Sequence, residues 1–391
     1  MRGALITAAL VAAQLFGCGE KPSPAATSSM PASAQPPAAT QASAAASGAA
    51  VATSAPAAAE SPPSATDPPR AIDMHVDTPW QVKFKGRPAT VPEGHATMGA
   101  LKKGNYAGIV YPIYIPDYLH DSNPTIQDAD EIFDTIDAIV AANTDILHPH
   151  AKGPTPKGKV TAYAAIEGAG CFAKDITQID RFIDRGVVFV GPVHWHDSAL
   201  STSATGQDKK KRGLTDAGKK FAARVYERGG IVDVSHMSDR GFEDLVPIAE
   251  KYGAPIVATH SNARKVTKHA RNLSDEQLEI IAKTGGVVGL NFYGKFVSSK
   301  GDPDIDDLVK HAKHIIKVAG IDHVGIGSDY DGGDPIKGLE DASKIGALAK
   351  ALREAGLSAE DVHKLFSENV KRVVRWSDDK RAALSSDGPG R

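Results

Sequence analysis

Residues 160–167 read Val160-Thr161-Ala162-Tyr163-Ala164-Ala165-Ile166-Glu167, an unbroken run of small, β-branched and aromatic residues that stops on a carboxylate. A strand with one solvated face alternates apolar and polar residues. Continuous apolarity instead marks a strand covered on both faces, as in a parallel sheet wrapped by helices. Seven more runs share this texture: Ala71–Val76, Ala107–Ile113, Val187–Val193, Gly230–Val234, Pro255–Thr259, Gly286–Leu290 and His323–Gly327. The intervals carry helix signals. Ile132, Phe133, Ile136, Ile139 and Val140 fall at helical spacing within Asp128–Ala142, and Ser274 with Gln277 forms a capping box that Gly285 is placed to close. Ser358 with Asp361 makes a similar cap ahead of Val362, Leu365 and Phe366. Eight strands alternating with helices over residues 71–391 predict a (β/α)8, TIM-type barrel. A doubly wound open sheet is the alternative, but no GxGxxG follows the first strand to support it.

The polar residues at the tips of these runs carry the chemistry. His75 and Asp77, Glu167, His194, His236, His260, Asn291 and Asp329 stand at or just beyond the strand ends. In a (β/α)8 barrel the active site gathers at the C-terminal strand ends, so these side chains should converge at one mouth. A single histidine there is ordinarily a satisfied structural residue. Carboxylates and imidazoles from six strand ends are harder to pack, because clustering them costs desolvation unless a cation is present. A metal centre is the economical reading.

The chain has 391 residues, 45 Lys and Arg against 47 Asp and Glu, and a formal net charge of -2. That balance gives no electrostatic case for nucleic acid or anionic lipid as the main partner. Cys18 and Cys171 are the only cysteines, too few for a disulfide framework or a Cys-rich zinc site. Residues 1–18 read as a signal segment: Arg2 is the positive start, Ala4 to Phe16 the apolar stretch, and Leu15-Phe16-Gly17-Cys18 resembles a bacterial lipobox with Cys18 lipidated. An ordinary secretory signal with an incidental cysteine is the alternative. Residues 19–70 form an expected disordered linker; of the 50 residues 21–70, 41 are Ala, Pro, Ser or Thr, too little apolar surface to offset ordering entropy. Together these segments predict an exported lipoprotein of a bacterial cell envelope, held to a membrane by its N-terminus.

In order along residues 71–376, several motifs resemble those of the renal (membrane) dipeptidase family, zinc peptidases built on (β/α)8 barrels. Asp73-Met74-His75-Val76-Asp77 resembles the opening DxHxD, Ala165-Ile166-Glu167-Gly168 the IEG segment, and Val232-Asp233-Val234-Ser235-His236 the DxSH segment. Thr259-His260-Ser261-Asn262-Ala263-Arg264 is similar to SHSxAR and is followed by His269-Ala270-Arg271-Asn272-Leu273. Gly325-Ile326-Gly327-Ser328-Asp329-Tyr330-Asp331-Gly332 resembles GIGxDxDG, and Glu368-Asn369 the closing EN.

The resemblance implies a metallodipeptidase with two Zn2+ ions. His75 and Asp77 would bind one and His236 and His260 the other, with Glu167 and a water or hydroxide bridging them. His194 would steady the substrate carbonyl oxygen, Arg271 would pair with the C-terminal carboxylate, and Asp329 would move the proton from water to the leaving amine. For Asp329, supporting the metals or capping a loop is the alternative role. Asn291 and Tyr293 would line the pocket, core packing being the alternative for Tyr293. Dipeptides, including those with a C-terminal D-residue, are the implied substrates. Family members often form homodimers, and no exposed apolar stripe in the sequence decides that here.

The chain departs from the family pattern in places. The segment after the bridging glutamate often reads GGH in the family, but here it is Gly168-Ala169-Gly170. His196 is an additional histidine that could contact substrate or face solvent. Lys209-Lys210-Lys211-Arg212 is expected to be a solvated loop, with gating of acidic substrates the alternative, and Cys171 a small buried residue rather than a nucleophile. Two other functions compete: a metal amidohydrolase acting on N-acyl amino acids or lactams, and a tethered binding protein that has lost catalysis.

Overall fold

The computed structural model describes residues 67–386. The signal segment, Cys18 and nearly all of the expected linker lie outside those residues. Strands β1 (Ala71–Asp73), β2 (Tyr106–Tyr114), β3 (Leu147–Pro149), β4 (Val160–Glu167), β5 (Val187–Gly191), β6 (Ile231–Val232), β7 (Val288–Leu290) and β8 (Val324–Ile326) form one sheet. It runs β6-β5-β4-β2-β1-β8-β7, with every pair parallel and β3 added beside the start of β4. The two ends of this path are joined by the Pro255–Thr259 run. Asp233 bridges to Val257, and Ala258 bridges to Val288. Val234 N–H donates to Val257 O at 2.8 Å and Gly289 N–H to Ala258 O at 2.8 Å. The ring is therefore a (β/α)8 barrel, and an open sheet is excluded.

All eight expected runs become staves of the ring, but several are shorter than their apolar stretches. β1 stops at Asp73; beyond it Met74 N–H donates to Ile326 O at 2.8 Å and Val76 N–H to Val110 O at 3.0 Å, and Val76 keeps an isolated bridge to Tyr330. β3 has no counterpart among the expected runs, because its three residues Leu147-His148-Pro149 are too few and too polar to stand out. The expected helices form with their caps. Thr125 and Asp128 exchange capping-box bonds at the start of Ile126–Ala142, Ser274 and Gln277 do so ahead of Asp275–Lys283, and Ser358 and Asp361 ahead of Ala359–His363.

Two apolar layers result. Inside the ring, Ile72, Met74, Val110, Tyr163, Ala165 and Phe189 pack with Val257 and Val287. Val370, Val373 and Val374 of the last helix, Asn369–Ser386, join this inner layer and close the floor of the barrel. The outer layer lies between strands and helices; it takes Ile132, Phe133 and Ile136 from one helix and Leu278 and Ile281 from another. Before β1, Asn105 Nδ2 donates to Pro69 O at 3.2 Å and Arg70 Nη2 to Tyr106 O at 3.1 Å.

With so few ladder bonds at the seventh stave, a carboxylate does the joining. Asp233 Oδ1 accepts from Ser235 N–H at 3.0 Å, Ser235 Oγ–H at 2.6 Å and Thr259 N–H at 3.0 Å, while Oδ2 accepts from Thr259 Oγ1–H at 2.6 Å. Gly289 and Gly327 let the stave lie close: a Cβ there would stand 2.0 and 1.8 Å from Thr259 O. Asp233→Ala leaves four donors in a buried site without their acceptor, so the unfolding free energy from chemical denaturation should fall by roughly 3 kcal/mol or more. A loss below about 1 kcal/mol, the worth of one ordinary hydrogen bond, would mean that the bridges hold the stave unaided.

Candidate metal centre

Glu167 ends β4 with its carboxylate buried at the barrel mouth, and its two oxygens face different partners. Oε2 lies 3.6 Å from His75 Nε2, which is itself 3.4 Å from Asp77 Oδ2. Oε1 lies 2.9 Å from His236 Nε2 and 3.6 Å from His260 Nε2. The two imidazole nitrogens of His236 and His260 stand 3.0 Å apart. Two groups of convergent donors thus share one carboxylate: His75, Asp77 and Glu167, and Glu167, His236 and His260. A third grouping joins His75 and His260 to Asp329. Nitrogen and carboxylate oxygen without thiolate is a donor set suited to zinc-like divalent cations in a catalytic setting.

The backbone behind these side chains fixes their direction. Asp73 Oδ1 accepts from His75 N–H at 3.2 Å and Ser328 N–H at 2.9 Å, tying the two strand ends together. Thr259 Oγ1, already a donor to Asp233, meets His260 Nδ1 at 2.9 Å. The imidazole must then carry its proton on Nδ1, leaving the Nε2 lone pair for a metal. His260 N–H donates to Ser235 Oγ at 3.1 Å. The DxSH and THS segments therefore work as one unit.

Electrostatics shows how much the cluster wants a cation. Burial pulls the His75 imidazole down, but Asp77 and Glu167 outweigh it and push its pKa up to about 10. Burial raises Glu167 to about 8, with Asp77 and Asp329 adding to it against the opposing pull of His75. His236 and His260 move the other way, held neutral by burial and by the nearby charge of Arg271 for His236 and of His75 for His260. Neutral imidazoles beside proton-retaining carboxylates describe a site in which a proton stands where a metal would.

The remaining expected residues are placed around this cluster. The His194 ring lies 4.4 Å from that of His236, and burial lowers its pKa. Asp329 is partly buried with a raised pKa, desolvation first and Asp77 second; its backbone is left-handed at φ 65, and it accepts from Asn291 Nδ2 at 2.9 Å. Arg271 is buried, with Nη2 3.1 Å from His236 Nε2 and Nε lacking a partner. That contact is available only while His236 Nε2 carries no metal. Tyr293 stands two residues beyond Asn291: its ring packs edge-on against Phe296 at 4.9 Å, and its N–H donates to Asn291 Oδ1 at 2.6 Å. His196 faces solvent, its side chain 78% exposed, and Lys211 pairs with Asp208 in the solvated basic loop. The Cys171 thiol is pushed up to about 12 by burial, as befits a non-nucleophile.

Several residues at the mouth are not among those the sequence singles out. Asp117, four residues past the second apolar run, accepts from His196 Nδ1 at 3.1 Å and approaches His194 Nδ1 at 3.8 Å. Its signal is the polar residue in Tyr114-Ile115-Pro116-Asp117, delayed by the proline beyond the expected strand tip. Tyr114 and Trp195 flank His194 with ring separations of 4.5 and 5.7 Å. Asp331 receives Thr78 Oγ1–H at 2.7 Å and pairs with Arg87 Nη1 at 2.9 Å, fastening the loop after β8 to the segment after β1.

A (β/α)8 barrel with histidine and carboxylate donors converging at its C-terminal mouth defines a metal-dependent hydrolase architecture. The sequence profile of the membrane dipeptidase family, peptidase family M19, matches residues 68–387, and the chain belongs to that family of peptide-bond hydrolases. An uncharacterized dipeptidase of Schizosaccharomyces pombe is 34% identical over 233 residues; the match takes in 58% of this chain and only 55% of that protein. Two solved structures are similar. A metallopeptidase from Rhodobacter sphaeroides, liganded with a phosphinate mimic of the dipeptide L-Ala-D-Ala, has a TM-score of 0.70 at 26% identity, covering 80% of this chain and 100% of that one. A dipeptidase of metallopeptidase family M19 has a TM-score of 0.70 at 27% identity, covering 80% and 99%.

The raised pKa values set a pH dependence for metal uptake. A cation must displace the protons that His75 and Glu167 retain, so affinity should climb with pH and level off only as the range of about 8 to 10 is passed. Zinc titration by competition with a chelator at several pH values would measure this; affinity flat from pH 6 to 9 would contradict the proposed ligand set.

Proposed function

We propose that the protein is a zinc-dependent dipeptidase, cleaving dipeptides that carry a free C-terminal carboxylate, including those ending in a D-residue. The observation that carries this reading is the divided carboxylate of Glu167, one oxygen toward His75 and the other toward His236 and His260. The L-Ala-D-Ala mimic bound by the Rhodobacter metallopeptidase supports the stereochemical part.

Divalent cations bound by these ligands would supply Lewis acidity to water and to the scissile carbonyl. The chain's own groups do the rest. Asp329, held by Asn291 and raised in pKa, takes a proton from water and returns it to the departing nitrogen. His194 donates to the carbonyl oxygen as negative charge develops there. Arg271, buried with an unspent Nε–H, pairs with the substrate carboxylate once its nitrogen contact to His236 is given up. The exposed Trp195 and half-buried Tyr114 offer aromatic surface beside His194 for a substrate side chain. A second reading, hydrolysis of N-acyl amino acids or lactams, would use the same metals and Asp329.

Amine release from L,L- and L,D-dipeptides should require zinc and stop with chelator, and Asp329→Asn should lower kcat by roughly 10²- to 10⁴-fold with zinc content retained. A fully active Asp329→Asn enzyme would remove that role, and a folded, zinc-loaded protein silent on every dipeptide would favour the acyl-amide reading.

We also propose that Cys18 is lipidated and holds the protein in a bacterial envelope, on the strength of the lipobox-like Leu15-Phe16-Gly17-Cys18. At high salt, which screens any purely electrostatic attachment, Cys18→Ala should move the protein from the membrane fraction to the soluble one with kcat/KM unchanged; continued fractionation with membranes under those conditions would refute the acyl anchor.

A further inference from the structure

The opposite end of the barrel holds a cavity that this chemistry leaves unused. It has a volume of about 1020 Å³ and lies between the β3–β4 connection and one face of helix Asn369–Ser386. Seven Lys and Arg side chains line it against two Asp, in a chain whose formal net charge is -2. Both Asp are already engaged: Asp184 accepts from Arg228 at 2.7 Å, and Asp378 meets His150 Nε2 at 2.9 Å. Lys371 is paired with Glu368 from outside the lining.

The other cations have no carboxylate within ion-pair distance among the described residues. Arg70 Nη2 donates to the carbonyls of Tyr106 and Lys159 at 3.1 and 3.2 Å, and Lys159 Nζ to that of Thr144 at 2.6 Å. Arg381 Nη2 donates to Val187 O, and its Nε is buried without a partner. Burial draws the Arg381 guanidinium below its ordinary pKa, a desolvation that a neighbouring anion would relieve. The side chains of Lys157 and Arg375 make no hydrogen bond or ion pair among the described residues. Carbonyls satisfy N–H groups but do not neutralise charge, so a concave, half-enclosed surface is left strongly positive. Such a surface concentrates anions, and arginines and lysines pointing in from several elements suit the multiple oxygens of phosphate.

Position narrows the source. Arg70 immediately precedes β1, so the chain leading from the N-terminal segment joins the barrel on the rim of this cavity. Leu384, 42% exposed, lies on the same rim. A basic recess beside an exposed leucine matches the headgroup zone of an anionic bilayer. We propose that this floor cleft binds the phosphate groups of anionic lipid headgroups, seating the base of the barrel on a membrane and turning the metal-lined mouth away from it. The choice of lipid as source rests on the envelope reading; the anion site itself does not.

The test uses the full chain with Cys18→Ala, so that no acyl group contributes. It should sediment with phosphatidylglycerol vesicles and not with phosphatidylcholine vesicles. Adding Lys157→Glu and Arg375→Glu should weaken that binding at least about tenfold, since each basic residue near an anionic surface is worth on the order of a factor of five. Dipeptide turnover should be the same in both proteins. Sedimentation unaffected by the two substitutions, or absent altogether with no binding of pyrophosphate, overturns the site. Thermal stabilisation by inorganic pyrophosphate that the two substitutions abolish, without vesicle binding, keeps the anion site and overturns the lipid source. Charge-dependent vesicle binding by a protein inactive on dipeptides supports the docking face and sinks the proposed chemistry alone.

Discussion

A single buried carboxylate that must serve two sets of neighbours organises this molecule. Glu167 lies at the barrel mouth with one oxygen toward His75 and the other toward His236 and His260, and nearby Asp77 and Asp329 add negative charge that water cannot screen. Protein side chains alone balance such a cluster poorly, which is why burial and like charge hold protons on it. Cations resolve the conflict. The staves bring His75 and Asp77, Glu167, His236 and His260 to one point from four separate strand ends, an arrangement that could surround a cation without crowding the backbone. Fold and chemistry meet in that requirement.

The mouth is held by polar stitching more than by sheet. Where a long ladder exists, as between β2 and β4, register alone positions Glu167. Where the staves shorten to isolated bridges, Asp233, Ser235 and Thr259 take over and leave His260 with its Nε2 lone pair facing Glu167 and His236. On the other flank Asp331 gathers Thr78, Arg87 and the loop after β8. None of these acceptors belongs to the convergent donor groups, yet Asp233 holds the segments that carry His236 and His260, and Asp331 holds the loops beside them. Asp117 stands in the same relation to the His194 and His196 loop.

Legibility in the sequence tracks how local each signal is. The staves can be read because a doubly covered strand writes itself as an unbroken apolar run, and the ligands because six of the eight runs give way within two residues to an ionisable side chain. The capping boxes at Ser274 and Ser358 are equally local, whereas the one at Thr125 sits ahead of the helical periodicity that begins at Asp128 and is easily passed over. β3 escapes because three residues including a histidine and a proline carry no period. Asp117 escapes because Pro116 carries the chain past the strand end before the carboxylate appears. The floor cleft is wholly illegible: Arg70, Lys157 and Arg375 belong to three distant segments, and nothing in any one of them announces the others.

Inside the ring, Val370, Val373 and Val374 of helix Asn369–Ser386 pack against Ile72 and Met74 of the first stave. The inner core thus draws on residues separated by about three hundred positions, the kind of pairing whose loop-closure entropy must be met before any contact rewards it. During synthesis the first stave has no floor to rest on until residues 369–386 have been made. Partial chains therefore expose the inside of an unclosed ring through nearly all of translation, the kind of apolar surface that invites aggregation until the last helix is made.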